Sequence, residues 1–184
     1  MNRFTLFFIL LSGFEVSQCY AQKQDILEIP NMPVSIPYQV KEIAFKDERV
    51  NKLPMNWKVP LMSLKAREFI GNPELTSADS VAIKSIIINS QSPTGKPAKL
   101  TVVIREGVGK LYGDWKTVKE SVKVQLDLEA EELDSNGFIR SSYEIASESG
   151  TLNGKEKSVI ATYSKALKYA VYQCILQLSK NSNK

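Results

Sequence analysis

The feature that most constrains the fold is a run in which apolar and polar residues alternate at every position. Val122, Val124, Leu126 and Leu128 alternate with Lys123, Gln125, Asp127 and Glu129. A period of two places the apolar side chains on one side of a β-strand and the polar ones on the other. One wet side is typical of an antiparallel sheet that is covered on one face only.

Further strands flank this one in the sequence. Residues 100–105 alternate in a similar way, and residues 40–45 predict a first strand. Asp134–Gly137 predicts a hairpin turn, because an Asn-Gly pair readily adopts positive φ angles, and residues 141–145 predict the returning strand. Residues 61–70 fit either a strand or a short helix.

The C-terminal region predicts a long helix over about residues 156–180. Its apolar residues recur at three- and four-residue spacing: Ile160, Tyr163, Leu167, Ala170, Val171, Cys174, Ile175 and Leu178. Such a stripe is typical of a helix that packs on a sheet. We therefore predict an α+β fold, with an antiparallel sheet of about four to six strands covered on one face by this helix.

Residues 77–89 allow two interpretations. Thr76 and Asp79 have a spacing that resembles a helix capping box. However, the apolar residues spread around the whole helical wheel, and most of them are β-branched, which favours a buried strand. The sequence therefore predicts a strand here, with a helix as the alternative.

The N-terminus resembles a secretory signal peptide. A positive start at Arg3 is followed by the apolar run 4–14 and a more polar stretch that ends in Ala21. We expect a signal peptide over residues 1–21, an extended proline-containing arm over 22–39, a single α+β domain over 40–180 and a polar tail over 181–184. The protein is then exported to the periplasm or the outer membrane, or is secreted.

The two cysteines carry different expectations. Cys19 lies where a bacterial lipoprotein signal places its lipidated cysteine, so lipidation is the alternative to removal with the signal. Cys174 lies on the apolar stripe of the C-terminal helix, where a cysteine is expected to be a small buried hydrophobe. No segment after the signal is apolar enough to span a membrane.

Composition removes several classes of function. The chain contains no histidine, which excludes the Ser-His-Asp triad and histidine-ligated zinc sites. We predict no metal and no cofactor. The formal net charge is +4, but the lysines and arginines are scattered and have no aromatic platform beside them, so we expect no nucleic-acid binding.

The stretch over residues 107–116 is the most site-like part of the chain. It combines three glycines with Lys110, Tyr112, Asp114 and Trp115, and it is predicted to be a loop between two strands. Aromatic residues with a polar tip are common at recognition sites, so these four residues are the candidate ligand or partner contacts. The alternative is a structural connection in which Tyr112 and Trp115 cover the edge of the core.

The acidic stretch around Asp127, Glu129, Glu131 and Glu132 could supply paired carboxylates for hydrolysis. Asp127, Glu129 and Glu131 share one side of the predicted strand, where no apolar cleft is indicated. We therefore interpret them as a solvated face.

One resemblance extends over residues 40–180. The strand that leads to Asp47-x-Arg49, the paired strands at 100–106 and 121–130, the hairpin and the closing helix resemble small α+β accessory proteins and lipoproteins of the Gram-negative envelope. This resemblance implies a non-catalytic role in binding a partner protein, a lipid or an envelope polymer. The alternative is an exported hydrolase that lacks histidine and uses carboxylates or tyrosine.

Overall fold

The structure is a computed structural model. It describes residues 29, 34–50, 52–57, 66–113, 118–151 and 155–181. The predicted signal peptide with Cys19, most of the predicted arm, and the candidate contacts Asp114 and Trp115 lie outside these residues.

The described chain forms five strands and two helices. In chain order they are β1 (Tyr38–Asp47), β2 (Arg67–Gly71), α1 (Ser77–Asn89), β3 (Lys96–Gly113), β4 (Val118–Glu132), β5 (Phe138–Thr151) and α2 (Glu156–Asn181). The strands form one sheet in the order β1-β3-β4-β5, and β2 also pairs with β3. The predicted α+β class, the number of strands and the C-terminal helix that covers the sheet are confirmed.

The sheet is mixed rather than wholly antiparallel. The pairs β2–β3, β3–β4 and β4–β5 are antiparallel, as expected, but β1 runs parallel to β3. The segment between β1 and β3 contains α1, and a crossover that contains a helix brings the chain back in the same direction. The parallel pair therefore follows from α1, which lies in a segment for which the sequence predicts a strand.

The prediction of a strand at 77–89 is wrong, because α1 occupies this segment. Thr76 caps the helix: its Oγ1 accepts a hydrogen bond from the Asp79 backbone N–H at 3.1 Å and donates one to Asp79 Oδ2 at 2.6 Å. Ile83 and Ile87 enter the core, whereas Val81 and Ile88 remain exposed. The N-cap is worth about 1 kcal/mol, which offsets part of the few tenths that each of the five β-branched residues costs a helix, and burial of Ile83 and Ile87 in the core offsets the rest.

The predicted loop at 107–116 is also wrong for its described part, because β3 continues as a strand to Gly113. Its glycines serve close packing. A Cβ atom at Gly107 would lie 2.5 Å from the Tyr163 hydroxyl oxygen, and one at Gly109 would lie 2.5 Å from Val159 Cγ1. These glycines therefore let the first half of α2 approach β3.

The core lies between the sheet and the two helices. The apolar residues of β4, from Val122 to Ala130, meet the predicted stripe of α2, in which Leu167, Cys174 and Ile175 have no exposed surface. Ile36, within the predicted arm, is also fully buried, and its N–H donates to the Ser90 carbonyl at 2.8 Å. The folded core thus begins before residue 40.

Candidate functional site

The side of the sheet opposite α2 is a polar surface, which we call the open face. Its residues alternate with the core residues of β3, β4 and β5, and the strand registers place them in rows across the sheet. The central members of the open face are Arg105, Asp127, Glu129, Arg140, Ser142 and Glu144. The predicted wet side of β4 is therefore the centre of a larger surface.

The carboxylates of the open face are held in an ion-pair network. Arg105 Nε donates to Asp127 Oδ2 at 2.8 Å, and Ser142 Oγ donates to Asp127 Oδ1 at 2.6 Å. Arg140 Nη2 donates to Glu129 Oε1 at 2.7 Å, and Arg105 Nη2 lies 3.7 Å from the same oxygen. Two arginines thus bridge the two carboxylates.

The expectation of a solvated acidic face is wrong for Asp127, whose side chain is 7% exposed. The neutralising arginines lie on the neighbouring strands β3 and β5, so the sequence of β4 alone does not indicate these ion pairs. The hydrogen bond with Asp127 is the main reason that the pKa of Arg105 is raised. Both Asp127 oxygens are occupied, so the network is suited to holding the strands together rather than to proton transfer.

A groove of about 470 Å³ lies at the end of the open face beside the β4–β5 turn. Its lining includes Lys46, Lys99, Thr101, Glu129, Glu131, Asn136 and Phe138. Lys99 Nζ lies 2.8 Å from Glu42 Oε1, and the Arg140 guanidinium carbon lies 5.7 Å from the centre of the Phe138 ring. The groove therefore combines balanced charges and hydrogen-bonding groups with one aromatic wall.

The turn that forms one side of this groove is the predicted hairpin connection. The Glu132 N–H donates to the Gly137 carbonyl at 2.8 Å, and Ser135 Oγ donates to Glu132 Oε2 at 2.5 Å. Lys96 Nζ reaches Glu132 Oε1 at 2.9 Å from β3. The Ser135 hydrogen bond and Lys96 lower the pKa of Glu132, so its carboxylate holds the turn against the sheet.

The predicted contacts Lys110 and Tyr112 lie on the same open face but towards its other end. Lys110 Nζ is 4.0 Å from Glu68 Oε1 of β2, and Tyr112 is exposed beside it. Ile70 pairs with Lys110 across the strands and is also exposed. Alternation along β3 brings Lys110 and Tyr112 together, but it does not bring them to the groove.

A second cavity, of about 540 Å³, lies near the end of β1 and is lined in part by Arg49. Arg49 is buried and donates from Nε and Nη2 to the two oxygens of Asp47, both at 2.8 Å, and from Nη1 to the Pro73 carbonyl at 2.8 Å. Arg49 Nη1 also donates to the Gly107 carbonyl at 3.5 Å, and Asn72 Nδ2 donates to the same oxygen at 2.6 Å. Arg49 therefore ties three chain segments together.

The contacts around Arg49 shift the pKa values of its neighbours. The hydrogen bonds from Arg49 hold the pKa of Asp47 well below its usual range, against the effect of burial, and Lys52 adds to the lowering. Burial raises the pKa of the nearby Tyr163 to about 12. The Asp47-x-Arg49 spacing was visible in the sequence, but the contacts of Arg49 with residues 73 and 107 were not.

Cys174, the one cysteine of the described residues, is buried in the core. Burial raises the pKa of the Cys174 thiol to about 12, in agreement with the predicted buried hydrophobe. The described residues contain no group of three or more cysteine and acidic side chains that could hold a metal ion. Neither described helix is apolar enough over a sufficient length to cross a membrane.

Comparison with known proteins identifies no relative, so the class of this protein follows from its own structure. The chain matches no protein-family model, no curated protein and no solved structure. Over the residues that the structure describes, the class is an α+β protein with a mixed five-stranded sheet, one helical layer and one open polar face.

Proposed function

We propose that this chain is an exported, non-catalytic accessory protein of the cell envelope that binds an envelope polymer in the groove of the open face. The observation that carries the proposal is the composition of the groove. Hydrogen-bond donors and acceptors of balanced charge line it, and the ring of Phe138, which is 55% exposed, forms an apolar wall. A hydroxyl-rich polysaccharide presents matching groups.

The groove chemistry favours a polysaccharide over the other partners that the sequence suggests. A lipid requires a larger apolar surface than the groove offers, since most of its lining residues are polar. A nucleic acid requires an excess of cations, whereas Lys46 and Lys99 lie among Glu129 and Glu131. The export part of the proposal is supported by the N-terminal sequence, with lipidation of Cys19 as the alternative to its removal.

The alternative of a histidine-free hydrolase has less support. A carboxylic acid that donates a proton near neutral pH needs a raised pKa. The pKa of Asp47, Asp79 and Glu132 is instead lowered. In Asp79, burial acts in the opposite direction but is outweighed by hydrogen bonds from Ser164 and Thr76 and by the charge of Lys168.

A binding measurement with two matched variants tests the proposal. Fluorescently labelled glycan fragments released from a Gram-negative cell wall are titrated with the purified protein, and anisotropy gives the dissociation constant. Phe138→Ser should weaken binding by about fivefold or more, which corresponds to ~1 kcal/mol. Leu133→Ser is the control, because Leu133 is 54% exposed but does not line the groove.

The same titration contains the results that would contradict the proposal. Equal losses in both variants, or no binding by the wild-type protein, would remove the groove as the site. Release of new reducing ends from the fragments would favour the hydrolase.

A further inference from the structure

We propose that β5 is an interface at which two copies of this chain pair edge to edge and form one continuous sheet. The proposal does not depend on the glycan ligand. β5 lies at the end of the strand order, so in the described part of the chain only β4 pairs with it. Its 14 residues pair with β4 from Phe138 to Thr151 without a register shift.

This edge lacks three of the features that protect natural edge strands from pairing. Proline, lysine and β-bulges are common protections. The sequence of β5 contains neither proline nor lysine, and its ladder with β4 is regular. Small residues, including Ser142, Ala146 and Ser149, leave room for another backbone to approach.

The charges on β5 are complementary to themselves in one antiparallel register. If Ser142 of one copy lies opposite Ser142 of the other, Arg140 of each copy lies opposite Glu144 of its neighbour. A two-fold axis then creates the same favourable pair twice. Residues directly opposite on antiparallel strands interact, and opposite charges at such positions are favourable.

Neighbouring registers match less well. A register centred on Tyr143 places Arg140 opposite Ala146. A register centred on Glu144 pairs Arg140 with Glu148, but it also places two glutamates face to face at its centre, which the register centred on Ser142 avoids. Like charges directly opposite one another are unfavourable. The charge pattern therefore selects the register centred on Ser142.

The ion pairs within each copy extend the match across the interface. Arg140 Nη2 is 2.7 Å from Glu129 Oε1 on β4, and Lys123 Nζ is 3.3 Å from Glu144 Oε1. In the paired sheet, ion pairs of alternating sign would lead from Glu129 through Arg140 to the second copy's Glu144 and, diagonally, to that copy's Lys123. The side chains of Arg140 and Glu144 are 48% and 51% exposed, so both remain accessible to a second copy.

Sedimentation equilibrium of protein purified from cells that express the whole 184-residue sequence tests this interface. The wild-type protein should show a monomer–dimer equilibrium. Arg140→Glu or Glu144→Arg should raise the dissociation constant of the dimer by about tenfold or more, because each places like charges together twice. Lys41→Glu on β1, at the opposite edge of the sheet, is the charge-reversal control and should leave the equilibrium unchanged.

The exchanged double variant Arg140→Glu/Glu144→Arg gives the sharpest result. It restores opposite charges between copies, but within each copy it sets like charges side by side, at Glu129 and at Lys123. Recovery of the dimer therefore requires pairing between copies. A wild-type protein that is monomeric at all concentrations, or a double variant no more dimeric than the single ones, would overturn the proposal.

A cross-linking measurement covers the case in which a charge variant fails to fold. Ser142→Cys places its new thiols next to the two-fold axis, so oxidation should yield a disulfide-linked dimer. Ser149→Cys on the same strand lies far from its counterpart in this register and should remain monomeric. Equal cross-linking of the two variants would overturn the register.

Discussion

At the scale of single residues, α2 packs very closely on β3 where the two cross. Tyr163 is buried, and its hydroxyl has no hydrogen-bond partner in the described structure. Gly107 faces this hydroxyl without a side chain, and Arg49 lies beside both. The fit depends on the absence of a Cβ atom at position 107.

Gly107→Ala should therefore destabilise the protein by about 1–3 kcal/mol, the usual cost of overpacking a core. Tyr163→Phe removes the hydroxyl that the new methyl group would meet, so the double variant should recover part of the loss. Chemical denaturation of the single and double variants measures this coupling. Additive losses would contradict the contact.

Leu167→Ala makes the opposite kind of change, because it removes volume from the core beneath α2. It has no exposed surface, so Leu167→Ala should lower the free energy of unfolding by ~2–5 kcal/mol. Lys165→Ala on the exposed side of the same helix is the control and should have little effect. A loss below ~0.5 kcal/mol for Leu167→Ala would mean that this side of α2 is not packed on the sheet.

At the scale of elements, α1 shows how a local cap and core packing together determine the structure of an ambiguous segment. Its apolar residues surround the helix, and its exposed side carries Val81 and Ile88. Ser164 of α2 also donates to Asp79, so the first turn of α1 is held from two sides. The cap both starts the helix and attaches it to α2.

Thr76→Ala should cost about 0.5–2 kcal/mol, because it leaves the Asp79 N–H without its acceptor. Ser77→Ala, one position later and exposed, is the matched control. Thermal unfolding followed by circular dichroism compares the two variants. If both have the wild-type melting temperature, the cap does not stabilise α1.

Sequence patterns predict best those elements that bury one side in the core and leave the other side polar. β4 and α2 have clear periods of two and about three and a half, and both were found. The sequence predicts a loop for the second half of β3, because Gly107 and Gly109 are required by close packing against α2, which is distant in the sequence. For α1, the β-branched residues favour a strand, although the spacing of Thr76 and Asp79 indicates a helix cap.

The candidate site was less predictable, because it depends on strand register. The polar side of β4 was expected, but its pairing with Arg105 and Arg140 requires knowledge of which residues lie opposite on β3 and β5. The groove likewise joins residues from four strands and a turn. Lys110 and Tyr112 were predicted as contacts, and they remain candidates at the other end of the open face.

At the scale of the whole molecule, stability should depend on acid pH through Asp47. Its folded-state pKa is lower than the unfolded value of 3.8, so the folded protein binds fewer protons at this site. The stabilisation is fully present above pH 3.8 and is lost as the pH falls through the folded-state pKa. Asp47→Asn should therefore be less stable than wild type at pH 7, and the difference should shrink in acid.

Urea denaturation of both proteins between pH 7 and pH 2 measures this dependence. A difference in the free energy of unfolding that stays constant across the range would show that ionised Asp47 does not stabilise the fold.

The central claim is that the open face binds an envelope glycan in the groove beside the β4–β5 turn. A backbone-amide NMR titration of the protein with the glycan fragments tests it most directly. The account predicts shifts that saturate at Thr101, Asn136 and Phe138, while the amides of α1 remain unchanged. Saturable shifts centred on Ile70 and Tyr112 instead, or no shifts at any fragment concentration, would contradict it.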